Sequence, residues 1–481
     1  MLVVAAAVLS LTLAADPPNI VYILADDLGY GELGCYGQEK ILTPNIDRLA
    51  AEGMRFTQHY TGAPVCAPAR CVLMTGRHSA NAYIRGNKEM GKWGPDEPEG
   101  QLPLPADEVT IAEMLGAVGY ATGAMGKWGL GGPGSSGHPS NQGFDQFYGY
   151  LCQRVAHNYY PTHLWRNHDV DVLGNAFFNA HQRLPGPKAG FDQFIGSTYA
   201  PDKILAEAVK FVNENKDGPF FLYLPFVEPH MAMQPPQEWV DRYPADWDDE
   251  PYVGGKSYLP HPRPRAGYAA MISDLDEHVG TIVDLIDELG LAENTIIIFT
   301  SDNGPTHDVG GVDTSFFNSA GALRGRKGSL YEGGIRVPMI ARWTGRIEAG
   351  SETDHISAFE DVMPTLARLA GATVPLMADG VSFLPTLLGD PRSQEARPYY
   401  VWEFHGYGGQ KAVRMGKWKA VQRSILKGET KIELYDLSVD IAESNDVSAS
   451  HPEIVARIRG IFKNDRTESA EFPMEQYDEA G

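Results

Sequence analysis

The chain has 481 residues, of which 43 % are hydrophobic and 21 % are charged, a composition that fits a folded globular protein and excludes disordered and collagen-like chains. Its formal net charge of −22 argues against a nucleic-acid-binding protein, because such proteins are expected to be basic. An anionic ligand would therefore have to be attracted by a local cluster of cations and not by the overall field.

The first fifteen residues, 1–15, form an apolar run that is too short to span a membrane. The run is typical of the apolar region of a secretory signal peptide, with Ala14 or Ala15 at the cleavage site, although the preceding basic residues are missing. The alternative is a first buried strand. We therefore expect a signal peptide, no transmembrane segment elsewhere, and a periplasmic or secreted protein.

Predicted strands and helices alternate through residues 16–394, which we assign to one large domain. The predicted strands are 19–25, 120–125, 219–227, 295–300 and 335–341, and the predicted helices are 43–53, 110–119, 202–215, 267–289 and 360–369. Continuous apolar strands suit a parallel sheet that is buried on both faces. The alternation predicts an α/β fold with a large, mostly parallel sheet sandwiched by helices.

Two regions depart from this alternation. From Gly129 to about Gln193 the chain is rich in Gly, Pro, His and Tyr, and we expect a long irregular stretch there. Beyond Pro391 short alternating segments precede a last helix at about 452–462. We assign residues 395–481 to a C-terminal subdomain, a small antiparallel sheet with one helix packed on it.

Polar side chains follow four of the predicted strands, at the point where each strand ends. They are Asp26 and Asp27, Lys127, His230, and Asp302 and Asn303. In open α/β sheets ligands bind at the carboxyl ends of the strands, so we expect these residues to form one site. Three carboxylates and an amide are hard oxygen ligands that suit Ca²⁺ or Mg²⁺ better than zinc.

The segment from Cys66 to Gly76 reads as a short helix. Pro68 suits a first helical turn and Gly76 suits a helix end. Cys66 and Arg70 are four residues apart and share one helix face, at the positively polarised end. The pattern favours an anion-binding site, whereas a cysteine alone would be read as a buried core residue.

The spacing of these residues resembles the signature of the type I sulfatases of the alkaline phosphatase superfamily. It matches at Cys66, Pro68, Arg70, Thr75 and Gly76. The resemblance implies that Cys66 is oxidised to formylglycine by a formylglycine-generating enzyme or an anaerobic sulfatase-maturating enzyme. The hydrated aldehyde, a gem-diol, would then be the nucleophile of a sulfuric ester hydrolase.

Other positions from about Asn19 to Leu376 carry the same resemblance. It implies that Asp26, Asp27, Asp302 and Asn303 bind Ca²⁺ or Mg²⁺, with the modified Cys66 completing the site together with a sulfate oxygen. The resemblance also implies that Arg70, Lys127 and Lys327 stabilise negative charge and that His230 protonates the leaving oxygen. Glu332 and Arg336 would be structural supports in the Lys327 motif.

One position departs from the family pattern. The family commonly has a histidine two residues after the first lysine, where this chain has Gly129. A glycine cannot exchange protons and leaves room for another side chain. We therefore expect His157 to enter this space as a base or a sulfate contact.

The substrate is indicated by resemblance to bacterial arylsulfatases and N-acetylgalactosamine-6-sulfatases, which implies a role in degrading sulfated polysaccharides. Candidate sugar-stacking or sugar-binding residues are Tyr148, Tyr150, Tyr159, Tyr160, Trp165, Trp402 and His405. Three alternatives stay open: a phosphonate or phosphate ester hydrolase of the same superfamily, a non-catalytic binder of sulfated glycans, and a cysteine hydrolase with a free thiolate at Cys66.

Overall fold

The computed structural model describes residues 17–94, 97, 99–184, 186 and 190–478. The predicted signal peptide, residues 1–15, lies outside the described residues. Among the helices that are described, none combines the length and the apolar character needed to cross a membrane. All four cysteines fall in the described part of the chain, and each is free.

The larger of two sheets has eleven strands. They are β1 (Asn19–Ala25), β2 (Met54–Tyr60), β3 (Ala121–Lys127), β4 (Gln146–Tyr150), β5 (His163–Arg166), β6 (Asp169–Val172), β7 (Phe220–Pro225), β8 (Thr295–Ser301), β9 (Arg336–Arg342), β10 (Ser351–Thr353) and β11 (Ser357–Ala358). The order is β10-β2-β9-β8-β1-β7-β3-β4-β5-β6, with β11 also paired to β2. Strands β8, β1, β7, β3 and β4 are parallel, whereas β9 and β5 run antiparallel to their neighbours β8 and β4.

Helices cover both faces of this sheet. The α-helices of the described residues are α1 (Pro44–Ala51), α2 (Cys66–Thr75), α3 (Ile111–Gly116), α4 (Ala200–Asn215), α5 (Gln237–Val240), α6 (Pro264–Glu288), α7 (Thr314–Phe317), α8 (Glu332–Ile335), α9 (Val362–Ala370), α10 (Leu384–Leu387) and α11 (Pro452–Asn464). Successive residues of a strand point to opposite faces. Val21 and Ile23 of β1 accordingly pack in a core with α1, α4 and α6, while Tyr22 and Leu24 pack in a second core with α2, α3 and α9. The predicted fold class is confirmed.

The smaller sheet consists of four antiparallel strands, β12 (Tyr400–Phe404), β13 (Gln410–Met415), β14 (Trp418–Arg423) and β15 (Ile432–Asp436). Helix α11 packs on one face through Ile458 and Phe462. The other face packs against the main sheet region, where Trp402 Nε1 donates a hydrogen bond to the carbonyl of Thr61 at 2.8 Å. The boundary we placed between residues 394 and 395 stays a prediction.

Several strands of the large sheet were missed by the sequence reasoning, among them the short edge strands β10 and β11. Strand β2 was not predicted, because Arg55, Thr57 and Gln58 interrupt its apolar pattern and its place is set by antiparallel pairing with β9. The stretch from 129 to 193 was predicted to be irregular, and this was wrong in part because it contains β4, β5 and β6. Strand β4 is recognisable only through its parallel pairing with β3, which is a contact between distant parts of the chain.

Candidate active site

Four adjacent strands end at one edge of the large sheet, and the predicted polar residues follow the ends of these strands. Strands β8, β1, β7 and β3 lie side by side and run parallel, so the residues that follow them meet. Strand β2 also ends at this edge and leads to α2, whose first residue is Cys66. Gly76 ends α2 with a φ of +67°, as predicted for a helix-terminating glycine.

Cys66 is buried at the centre of this edge. Its thiol donates a hydrogen bond to Asp26 Oδ1 at 3.4 Å, and the ammonium nitrogens of Lys127 and Lys327 lie 3.7 and 3.6 Å from its Sγ. Burial raises the pKa of the Cys66 thiol, and the Asp26 carboxylate raises it further. An unmodified Cys66 therefore stays protonated at neutral pH, which argues against a hydrolase that uses a free thiolate.

The fully buried guanidinium of Arg70 links two of the carboxylates. Its Nη2 lies 2.8 Å from Asp302 Oδ2 and 3.2 Å from Asp26 Oδ2, and its Nη1 donates to the carbonyl oxygen of Lys127. Burial raises the pKa of Asp302 to about 6, and the Asp26 carboxylate contributes to this rise. Burial would also raise the pKa of Asp26, but Lys127 and other nearby cations outweigh burial and hold it below its ordinary value.

Asp27 and Asn303 form the second half of the acidic group. Lys327 Nζ lies 2.8 Å from Asp27 Oδ2, and Asn303 Nδ2 donates to Asp27 Oδ1 at 2.8 Å. The backbone N–H of Asp27 donates to Asp302 Oδ1 at 3.1 Å. Asn303 Oδ1 is buried and has no hydrogen-bond partner among the described residues. A buried oxygen without a partner beside three carboxylates fits a hard divalent cation.

His230 faces the same group from the loop that follows β7. Its Nε2 lies 3.7 Å from Asp27 Oδ2, and its Nδ1 contacts the carbonyl oxygen of Met231. Burial lowers the pKa of His230 to about 3, and the charges of Lys327 and Lys127 contribute. Ligand atoms of His230, Cys66, Asp26 and Asp27 all lie within 4.8 Å of one another.

The space next to Gly129 is occupied by Gln153, where we expected His157. Gly129 has a φ of +82°, and a Cβ placed on it would lie 2.6 Å from Gln153 Nε2. This nitrogen is buried and has no hydrogen-bond partner among the described residues. His157 instead stacks on the ring of His230 with a centroid distance of 4.7 Å, and its Nδ1 lies 3.1 Å from His181 Nε2. The role of His157 as a base stays a prediction.

The Lys327 loop is anchored through Glu332, as the resemblance implied. Glu332 accepts a hydrogen bond from Lys419 of β14 at 2.8 Å and pairs with Arg336 at 3.4 Å. Burial would raise the pKa of Glu332, but Lys419 and two arginines lower it to about 2. The small sheet therefore helps to fix the loop that carries Lys327.

Most of the aromatic residues proposed to contact sugars are buried in the protein interior. Those with less than about a tenth of their surface exposed are Tyr148, Tyr150, Tyr159, Tyr160 and Trp402. These five cannot offer a stacking surface, so that expectation is corrected, whereas Trp165 is half-buried and lines a cavity. The sequence reasoning missed Tyr258, whose hydroxyl interacts electrostatically with Lys327, Asp27 and Cys66. Tyr258 reaches this position through a left-handed backbone, with a φ of +58°, which no sequence motif signalled.

Family models and curated proteins are similar to this chain over most of its length. The family model described as Sulfatase matches residues 18–372, and a second model, described as N-sulphoglucosamine sulphohydrolase, C-terminal, matches residues 326–466. Arylsulfatase A from Homo sapiens is 34 % identical and is aligned over 93 % of this chain and 87 % of its own length. N-acetylgalactosamine-6-O-sulfatase from Bacteroides thetaiotaomicron is 31 % identical over 94 % of each chain.

A solved structure shows the same architecture. The crystal structure of Ps i-CgsB in complex with k-i-k-neocarrahexaose superposes with a TM-score of 0.76 and 28 % identity, over 96 % of this chain and 95 % of the other. The family model covers most of the chain, and both relatives align with it over most of their own length. The chain therefore belongs to the sulfatase family and is a sulfuric ester hydrolase with an alkaline phosphatase-like fold.

Proposed function

We propose that this sulfatase removes sulfate from a sulfated carbohydrate through a formylglycine at position 66 and one divalent cation. The observation that carries the proposal is the position of two ammonium groups, Lys127 Nζ and Lys327 Nζ, within 3.7 Å of Cys66 Sγ. Arg70 adds a third cation one helical turn away. Three cations around one nucleophile position form a site for an anionic group in a protein whose overall charge is −22.

The cation would be held by Asp26, Asp27, Asp302 and Asn303. We expect Ca²⁺, with Mg²⁺ as the alternative, because the donors are hard oxygen atoms and Asn303 Oδ1 has no other partner among the described residues. When bound, such an ion supplies Lewis acidity and offsets the charge of the carboxylates.

A formylglycine at position 66 would supply a hydroxyl that attacks sulfur and a second hydroxyl that later drives sulfate expulsion. The residues around Cys66 suit such a polar group, because Asp26, Lys127 and Lys327 all contact its Sγ. Lys127 and Lys327 hold the charge of the sulfate as the ester bond breaks. His230 is our proton donor for the leaving oxygen, through Nε2, which faces Asp27. Because its Nδ1 contacts a carbonyl oxygen and its pKa is low beside Lys327 and Lys127, the ring would gain this second proton only when a bound sulfate offsets the charge of the two lysines.

The same proposal covers the carbohydrate substrate, the cellular location of the protein and the enzyme that converts Cys66. One relative is named N-acetylgalactosamine-6-O-sulfatase, and a similar structure is a complex with k-i-k-neocarrahexaose. Both support a sulfated saccharide as the substrate. We further propose that the protein is periplasmic or secreted and that a formylglycine-generating or anaerobic sulfatase-maturating enzyme converts Cys66.

Comparing an aryl sulfate with an aryl phosphate tests the reaction. We expect kcat/KM for 4-nitrophenyl sulfate to exceed that for 4-nitrophenyl phosphate by at least about 100-fold. A phosphate monoester carries a second negative charge, which would lie near the carboxylates of Asp26 and Asp27, whose oxygen atoms are within 4.8 Å of Cys66 Sγ and would repel it. Lys327→Ala should lower the sulfatase rate, which links that rate to this site. Faster turnover of phosphate or phosphonate esters would favour the alternative hydrolase, and glycan binding without sulfate release would favour a non-catalytic binder.

A further inference from the structure

A cavity of about 450 Å³ lies beside the active site and is not part of the cluster around Cys66. Its walls include four aromatic side chains, Trp93, Trp165, Phe177 and Phe178. Aromatic rings at half-exposed positions are the usual stacking surface for the apolar face of a sugar ring. The cavity therefore has the size and the lining of a site for one saccharide residue.

The cavity is connected to the active site through two histidines. His181 lines the cavity, and its Nε2 lies 3.1 Å from Nδ1 of His157. His157 stacks on His230, which faces the carboxylate of Asp27. The cavity and the reacting atoms thus lie on either side of these histidines, whose successive ring centroids are 5.3 and 4.7 Å apart.

Among the described residues of the cavity wall, one cation has no ion-pair partner. Glu99 contacts Trp165 Nε1 and lies 3.2 Å from His163 Nε2, and Lys92 lies 3.6 Å from Glu97. Arg154 has no carboxylate within ion-pair distance in the described part of the chain.

The neighbours of the Arg154 guanidinium are a ring that lines the cavity and the two histidines between the cavity and the active site. Its guanidinium lies 5.7 Å from the centroid of Trp93, and its charge acts on both His157 and His181. Glu89 is close enough to interact electrostatically, but it forms no ion pair with Arg154. A half-buried guanidinium without a carboxylate partner is well suited to an anionic ligand, because its planar N–H groups match sulfate and carboxylate oxygens.

We propose that this cavity binds the saccharide residue next to the one that loses sulfate, and that Arg154 binds an anionic group on that neighbouring residue. The inference rests on the proposed function and narrows its substrate class to saccharides with at least two anionic groups. The second group is a sulfate ester or a carboxylate, since both offer oxygen atoms in the same arrangement. Arg154 would act as a specificity-determining residue that does not take part in bond breaking.

The test compares three disaccharides: one with a single sulfate, one with a second sulfate on the neighbouring residue, and one with a uronate there. Arg154→Ala should raise KM about 10- to 100-fold for a doubly anionic substrate, the effect of losing a charge-assisted hydrogen bond. The kcat should change little, and so should turnover of 4-nitrophenyl sulfate. The doubly anionic disaccharide with the larger loss identifies the natural second group. Arg154→Gln tests the same loss with a side chain of similar size if the alanine variant does not fold.

Arg242 supplies a matched control. It also lies over an aromatic ring, 3.6 Å from the centroid of Trp239, but outside the cavity, so Arg242→Ala should leave all four substrates unaffected. Calorimetric binding of the three disaccharides to Cys66→Ala protein provides a readout that needs no turnover. If 4-nitrophenyl sulfate is not hydrolysed, the proposed function fails while this binding comparison still decides the role of Arg154. Equal effects of Arg154→Ala on singly and doubly anionic disaccharides, or no effect on either, would overturn the inference.

Discussion

Replacing Cys66 by alanine is expected to lower the rate of sulfate release by at least about 10⁴-fold, because it removes the nucleophile on which both steps of the reaction depend. Cys66 is buried at the first position of α2, and the polar contacts of its side chain with described residues are those to Asp26, Lys127 and Lys327. The fold should therefore survive the change. Steady-state turnover of 4-nitrophenyl sulfate and a thermal unfolding curve, measured on the same preparation, check both expectations.

Cys71 is the matched control for this variant. It lies in the same helix, is equally buried and packs in the apolar core between α2 and the sheet. Cys71→Ala should lose some stability and keep its activity, since in the described structure no side-chain hydrogen bond links Cys71 to the site. A Cys66→Ala protein that retains turnover comparable with the Cys71 variant would show that residue 66 is not the nucleophile.

Replacing Asp302 by asparagine is expected to remove the bound divalent cation and to lower the rate by about 10²–10³-fold. Asp302 supplies one of three carboxylates at the site and holds Arg70 through a 2.8 Å contact. The asparagine side chain keeps the shape of Asp302 and one of its oxygen atoms. It lacks the negative charge that both the cation and Arg70 require. Metal content by mass spectrometry of the purified protein, together with turnover before and after adding Ca²⁺, measures the effect.

Asp276 serves as the control for this second variant. It is also a buried carboxylate, but it lies on α6 and accepts hydrogen bonds from Asn45 and Ile46 at the start of α1. Asp276→Asn should reduce stability without changing metal content. Undiminished turnover of the unaltered enzyme after exhaustive chelation would contradict the metal site.

Sequence reasoning predicted that the residues of the candidate active site lie together, because the signals for this are local. The apolar runs of β1 and β8 identify buried parallel strands, and the acidic residues that follow them must then lie at one edge of the sheet. The helix that begins at Cys66 is delimited by its own residues. Each of these conclusions depends on a few consecutive positions, and the observed bounds agree with the predicted ones.

The features that were missed depend on contacts between distant residues. Gln153 fills the space beside Gly129 because the pairing of β3 with β4 brings the segments that follow these strands together. A glycine in a sequence does not indicate which side chain will pack against it. Arg154 is distinguished only by the absence of a carboxylate partner in the described structure, which no motif reveals. Tyr258 reaches the site through a left-handed backbone conformation that was visible only in three dimensions.

The most direct test of this account is the mass of the peptide that contains residue 66, taken from enzyme that actively releases sulfate. We expect this peptide to carry formylglycine, an aldehyde in place of the Cys66 thiol, and the converted fraction of each preparation to be proportional to its specific activity. The aldehyde should react with a hydrazide probe, and Cys66→Ala protein should not. Full activity in a preparation whose residue-66 peptide contains only unmodified cysteine would contradict the central claim.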